Sequence, residues 1–371
     1  MSLRRGTTRT SGQSCGFLLA AALLVGCVRP AEERARRDRE IGRATSEGLG
    51  VQVVNGLAAV RALGAEQLTL WGSAPNFEFV LTANDARVVR LDLQNCLPAA
   101  ELVSLSDAVG IAPLEPTLPT RKSFELALPA GASRFRVAAA DFATRGPFEF
   151  ALLSDVQEAI VDVQDVFQRI NDEADVRFLL GAGDLTERGG TSELVRYQRE
   201  LEALAVPYFT TLGNHELGQN PPGYQDYFGR ANFQFYERGV AFTLLDSASA
   251  TLDPLVYDWL GPWLDGARGD VHVVAMHIPP LDPIGVRNGA FASRGEAAAL
   301  LARFAERGVD LTLYGHIHSY YAFDNAGIPA FISGGGGAIP ERFDDIGRHF
   351  MVFEIDPDRG VVARRVVRVD P

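Results

Sequence analysis

Five short runs in this sequence carry residue types that ligate metal ions: Asp155-Val-Gln157, Gly183-Asp184, Gly213-Asn-His-Glu216, His277 and Gly315-His-Ile-His318. Each follows an apolar stretch that reads as a strand. Residues just past the carboxyl ends of parallel strands converge on one crevice. Two divalent cations a few ångströms apart repel each other, so a carboxylate must lie between them, and Asp184 is the choice for that bridge. Asp155 would complete one ion, and the two histidines of Gly315-His-Ile-His318 would turn towards neighbouring ions, each through one ring nitrogen. Glycines at 183, 213 and 315 let the backbone turn sharply or approach the ions closely. His272 and His349 fall inside predicted strands and read as structural or solvent-facing.

The charge count of such a site favours a phosphate. Two dications, two carboxylates and a bridging hydroxide leave roughly one net positive charge, a partner for a phosphoryl oxygen. The paired ions would let a water ionise near neutral pH, and the hydroxide would attack phosphorus in line with the departing oxygen.

Alternating strand and helix patterns must position these runs. From about Pro147 the chain reads as strand 148–153, a helix near 158–171, strand 176–180, a helix near 192–204 and strand 208–212. Strand 241–245, a helix near 255–264, strand 271–275, a helix at 295–307 and strand 311–314 follow, then apparently antiparallel strands at 330–333, 349–355 and 361–369. This pattern predicts a mostly parallel sheet with helices on its faces. Residues 48–142 instead show short alternating runs such as Phe77-Glu-Phe-Val-Leu81 between turn residues, which predicts a small all-β sandwich. No catalytic constellation lies in it.

The first residues read as an export signal. Arg4, Arg5 and Arg9 precede the apolar run Gly16–Gly26 and then Cys27. The run is shorter than the roughly 20 residues a spanning helix needs. Leu24-Val25-Gly26-Cys27 resembles a bacterial lipoprotein lipobox, which implies acylation at Cys27 and a membrane anchor in the cell envelope, facing the periplasm or the surface. A plain secretory signal with an incidental cysteine is the alternative. Residues 28–47, rich in Arg and Glu without apolar periodicity, read as a charged, solvated tether. Only Cys96 would then remain as a thiol, so no disulfide framework is available, and it reads as a small buried hydrophobe.

With 371 residues, 47% hydrophobic and 22% charged, the chain is long enough for two folded domains of unequal size. A net charge of −12 argues against a broad basic face for nucleic acid.

Together, in this order, the runs resemble the calcineurin-like metallophosphoesterase superfamily, whose pattern is D-x-H, G-D, G-N-H-[ED], H, G-H-x-H. The resemblance covers residues 147–371, including the glycine-rich Gly334–Gly337 turn. It implies an α/β (α+β) fold of two packed mixed β-sheets flanked by helices, here preceded by the sandwich. By position it implies that Asp155, Gln157, Asp184 and His318 hold one metal, and that Asp184, Asn214, His277 and His316 hold the other. It implies that His215 faces the substrate, stabilising phosphoryl charge or protonating the leaving oxygen, with Glu216 orienting it. The departure is Gln157, where the family usually has histidine. An amide oxygen is a harder, weaker donor than imidazole, so this position should prefer manganese, iron or magnesium, with zinc possible at the other.

The expected activity is hydrolysis of a phosphomonoester or phosphodiester. The rival is a lipid-anchored protein that binds metal and a phosphorylated ligand without turnover. A third reading, an adhesion or scaffold protein, rests on the sandwich alone. Arg188, Arg287, Asn288, Arg294 and Tyr320 lie near the motif loops and are candidate substrate contacts.

Overall fold

The computed structural model describes residues 30–219, 221–285, 289–341 and 345–370. The export signal and Cys27 lie outside them, as do Arg287 and Asn288. No helix among the described residues is long and apolar enough to cross a membrane.

Alternation in the first part produces two five-stranded sheets. One orders Arg43–Ser46, Leu49–Val53, Phe77–Ala83, Gly131–Ala139 and Ala100–Ser104, all antiparallel. The other orders Ala58–Leu63, Gln67–Gly72, Arg87–Gln94, Arg121–Leu128 and Gly110–Leu114. Every second residue of Phe77–Ala83 is buried, and Phe79 stacks on Phe135 with centroids 5.1 Å apart. The inward faces of both sheets share one core with Leu68, Leu91 and Leu126. Cys96 belongs to that core, and burial pushes its thiol up to about 12, so it is inert packing.

The second part is two more sheets packed face to face. Phe148–Leu153, Val176–Ala182 and Tyr208–Thr211 run parallel, with His349–Asp356 and Gly360–Arg368 added antiparallel. Val240–Leu245, Val271–Met276, Leu311–Tyr314 and Ile328–Ser333 are parallel neighbours, flanked by antiparallel Phe233–Glu237 and Tyr320–Asn325. The strand ending at Ser333 is thus parallel to one neighbour and antiparallel to the other, where the sequence suggested only antiparallel pairing. Phenylalanines fill the space between the sheets: Phe150 meets Phe242 edge-on at 5.2 Å and stacks on Phe353 at 5.3 Å. Helices cover both outer faces, Gln164–Asn171 and Thr191–Glu200 on one, Pro254–Gly266 and Arg294–Arg307 on the other. Covered on both sides, the central strands are buried at every position rather than at alternate ones, and are mostly apolar. Asp253 and Ser293 cap the last two helices through their side-chain oxygens, and Gly308 ends the second in a left-handed turn at φ +75°.

Residues 30–38 correct the expectation of a solvated tether. Pro30–Asp38 is a helix whose Ala31, Arg34, Ala35 and Asp38 are buried. Spaced i, i+3, i+4 and i+7, they form one stripe, but two of its members are charged, so no apolar period betrays it. Arg34 Nε donates to Asp246 Oδ2 at 2.6 Å, and Asp38 accepts from Gln225, from the backbone of Ala231 and Asn232, and from the Asn232 amide. The first sandwich strand also begins within the expected tether, at Arg43.

His272, read as structural, is buried in its strand with Nε2 2.8 Å from Thr243 Oγ1. Burial holds its imidazole down at about 4 rather than 6.5. The folded state therefore keeps this ring neutral while the unfolded chain takes up a proton below pH 6.5. Its contribution is complete above that pH and is lost as pH falls towards 4, by up to about 3 kcal/mol. Urea midpoints at pH 7.5 and 4.5 should converge in His272→Gln relative to the parent chain. An unchanged pH dependence in that variant would show that His272 is not the group responsible.

Candidate metal centre

All the motif runs meet at the carboxyl ends of the parallel strands. Asp155 follows Phe148–Leu153, Asp184 follows Val176–Ala182, and Asn214 and His215 follow Tyr208–Thr211. On the facing sheet His277 follows Val271–Met276, and His316 and His318 follow Leu311–Tyr314. The loops bend sharply to achieve this: Asp155, Gln157, Asp184 and His316 take φ of +62°, +48°, +54° and +72°. Left-handed conformations at non-glycine residues cost roughly 1–3 kcal/mol each and persist only where the surroundings impose them. The glycines permit close approach. A Cβ on Gly213 would lie 2.1 Å from Asp184 Oδ1, and one on Gly315 would lie 2.7 Å from Asp155 Oδ2.

Asp184 sits at the middle. Its Oδ1 accepts the His215 backbone N–H at 2.9 Å. Its Oδ2 lies 2.8 Å from Gln157 Nε2, 3.1 Å from His277 Nε2 and 3.9 Å from His215 Nε2. Asp155 is 3.6 Å from His318 Nε2, and its carboxylate accepts the His316 backbone N–H at 3.0 Å. Gln157 Nε2 is 3.1 Å from His318 Nε2.

Three imidazoles share one anchoring device. Nδ1 of His277 meets the Ala182 carbonyl at 2.8 Å, that of His318 the Ile339 carbonyl at 2.7 Å, and that of His215 the Glu187 carbonyl at 2.8 Å. A carbonyl only accepts, so each Nδ1 carries the proton and each Nε2 points into the site. His277 Nε2 then faces two oxygen acceptors, Asn214 Oδ1 at 3.0 Å and Asp184 Oδ2 at 3.1 Å. A ring nitrogen among acceptors requires positive charge on it or beside it. Burial lowers the affinity of His277 for a proton, but Asp184 outweighs that and raises the ring to about 9. Burial likewise opposes ionisation of Asp184, yet His277 and the His215 N–H hold its carboxyl at about 2. Asp155 is also fully buried, and burial raises its carboxyl.

This donor set fits a cation. Asp184, His277 and His316 each offer a ligand atom, all within 4.8 Å of one another, and the buried carboxylates beside them call for compensating charge. Asp155, Gln157 and His318 form the other half, at comparable separations. Turning the Gln157 amide by 180° puts its oxygen where the nitrogen now meets Asp184, so the same side-chain position suits a metal ion.

Glu216 does not take the expected role of orienting His215. Its Oε2 accepts from the backbone N–H of Gly213 and Asp184 at 2.8 and 3.0 Å, and its Oε1 from the Thr186 N–H and hydroxyl, both at 2.9 Å. Burial, then the neighbouring Asp184, pushes its carboxyl up to about 7. Glu216 ties the two motif loops together, and His215 is oriented by Glu187 instead. No motif marks Glu187, which meets His215 Nδ1 chiefly through its backbone carbonyl, with its carboxylate 3.6 Å from the same nitrogen. No motif marks Ser154 either; its hydroxyl donates to Asp155 Oδ2 at 2.5 Å. Of the suggested substrate contacts, Arg188 is exposed, Arg294 borders a recess, and Tyr320 turns towards His349 with ring centroids 6.4 Å apart.

Residues 148–320, which span these loops, match the model of the calcineurin-like phosphoesterase family. This segment is similar to calcineurin-like phosphoesterase domains. The family implies metal-dependent phosphoester hydrolysis on a dinuclear divalent centre. Similar solved structures include GAP50, the anchor in the inner membrane complex of Plasmodium, at 17% identity over 61% of this chain and 86% of that one, TM-score 0.46. A dimetal phosphatase from Danio rerio is 14% identical over 60% of this chain and 99% of its own, TM-score 0.45. A Mycoplasma pneumoniae phosphatase is 14% identical over 61% and 94%, TM-score 0.38. No curated protein matches the chain.

Proposed function

We propose that this segment hydrolyses a phosphomonoester or phosphodiester, with Asp155, Gln157, Asp184 and His318 holding one divalent ion and Asp184, Asn214, His277 and His316 the other. The observation that carries this reading is the place of Asp184 Oδ2, 2.8 Å from Gln157 Nε2 and 3.1 Å from His277 Nε2, where one carboxylate serves both halves. The bound ions would supply positive charge against the phosphoryl oxygens and make water a stronger acid. Asn214 and the anchored imidazoles of His277 and His318 keep the donors in place before substrate arrives. His215, partly exposed and fixed through Glu187, presents Nε2 to the mouth of the site. There it can hydrogen-bond a phosphoryl oxygen or give a proton to the leaving oxygen.

An aryl phosphate and an aryl phosphodiester, assayed with added Mn²⁺, test this. His215→Ala should lower kcat on the better substrate by about 10²–10⁴-fold and leave metal content unchanged. An intact, metal-loaded parent chain that turns over neither ester would favour the binding-protein reading. Metal analysis of the same samples tests the softer claim that the Gln157 position favours manganese, iron or magnesium. Stoichiometric zinc in both positions would refute it.

The lipobox-like run supports placing the protein on the cell envelope through an acylated Cys27. Cys27→Ser should move it from the membrane to the soluble fraction. Unchanged fractionation would exclude the anchor.

A further inference from the structure

The helix Pro30–Asp38 lies across the same strand ends that carry the metal centre. Arg34 ends on Asp246, and Leu245 and Met276 are register partners, so Asp246 stands beside His277 where their strands finish. The next residue continues the link: Ser247 Oγ accepts the Ile278 backbone N–H at 2.8 Å. The helix also reaches the segment that begins with Asn214 and His215. Arg37 Nη1 donates to the Pro222 carbonyl at 2.9 Å, and Gln225 Nε2 donates to the Arg34 carbonyl at 2.8 Å. Arg34 and Asp246 are each only 2% exposed, so lifting the helix away would strand a buried charge.

This docking shortens the leash. The expected solvated tether ran over residues 28–47, whereas the docked helix begins three positions after Cys27. A chain spans at most about 3.6 Å per residue and a helix rises about 1.5 Å, which keeps the Cα of Cys27 within about 17 Å of that of Arg34.

Apolar side chains are exposed at the same end. Among the described residues from 147 onward, the two most exposed large apolar side chains are Ile339 at 71% and Val161 at 55%. Ile339 anchors His318 through its carbonyl, Val161 lies four residues beyond Gln157, and half-exposed Leu281 lies four beyond His277. At the other end of the parallel strands, the hairpin that follows His349–Asp356 turns with exposed Asp358 and Arg359. Apolar groups gathered at one end mark a surface that something covers, whereas scattered ones need no explanation.

Resting on the acylated Cys27 proposed above, we infer that the end bearing the metal centre faces the bilayer that holds the acyl chains, with Ile339, Val161 and Leu281 at its surface. The occupant of this face is the bilayer because the covalent leash that leaves the docked helix ends in it. Phosphoesters displayed on the membrane are thereby the ones offered to the metals.

Quenching by a nitroxide carried on lipid headgroups tests this, with the acylated, metal-loaded full chain in phosphatidylcholine vesicles. A dye is attached through Gln219→Cys, on the segment between His215 and the docked helix, or through Arg359→Cys, on the hairpin at the far end. Cys96 is buried and an acylated Cys27 has no free thiol, so the introduced cysteine takes the label. Quenching at position 219 should exceed that at 359 by at least threefold. Equal quenching of the anchored chain, or stronger quenching at 359, would overturn the inference. If Cys27→Ser fractionates with the membrane as the parent does, the anchor reading itself fails, and this inference with it.

Discussion

Asp184→Asn should lower aryl phosphate hydrolysis by at least about 10²–10³-fold and reduce bound metal from two ions per chain to one or none. The substitution keeps the side-chain shape but removes the charge that two cations would share. Asp184 is almost fully buried, and its Oδ2 stands within 3.1 Å of donors from both halves of the site. Repulsion between ions a few ångströms apart is then uncompensated, and an amide oxygen binds either ion less strongly. Metal analysis beside steady-state rates checks this. Two retained metals and a rate within tenfold of the parent would remove Asp184 from the bridging position.

Glu216→Ala should destabilise the domain by about 3–5 kcal/mol, because it strands buried donors that cost roughly 1–3 kcal/mol apiece. Gly213 N–H, Asp184 N–H, Thr186 N–H and the Thr186 hydroxyl all end on this carboxylate, at 2.8–3.0 Å. The loops after Val176–Ala182 and Tyr208–Thr211 would separate, carrying Asp184 and Asn214 apart, so metal affinity should fall as well. Glu216→Gln presents an amide nitrogen to two of the donors and should fall between the two. Denaturant titration of metal-free and metal-loaded protein measures both effects. A variant of normal stability and metal content, altered only in its pH–rate profile, would instead restore Glu216 as the partner of His215.

The site was legible in the sequence because its ligands come as short runs at the ends of apolar strands. Gly213-Asn-His-Glu216 and Gly315-His-Ile-His318 place several metal-type side chains on one turn, so local order already brings them close. The parallel strands were legible because strands covered on both faces appear as largely apolar runs such as Val240–Leu245, whereas their division into two packed sheets was implied only by the resemblance. The helix Pro30–Asp38 was not legible. Its buried face depends on Arg34 and Asp38, and a charge can be buried only where a partner waits, here Asp246 for one and Asn232 with Gln225 for the other. Those partners lie about two hundred positions away.

By itself, then, the sequence determined which residue types could bind metal and which strand ends carry them. Only the tertiary structure decided how the remaining polar atoms are spent. Ala182 and Ile339 act through backbone carbonyls, which every residue possesses, so no side-chain pattern marks them. Whether Glu216 meets a ring or a backbone, and whether Tyr320 faces the substrate or His349, follows from the direction in which each loop leaves its strand. That direction is set by packing between sheets, a property of contacts distant in the chain.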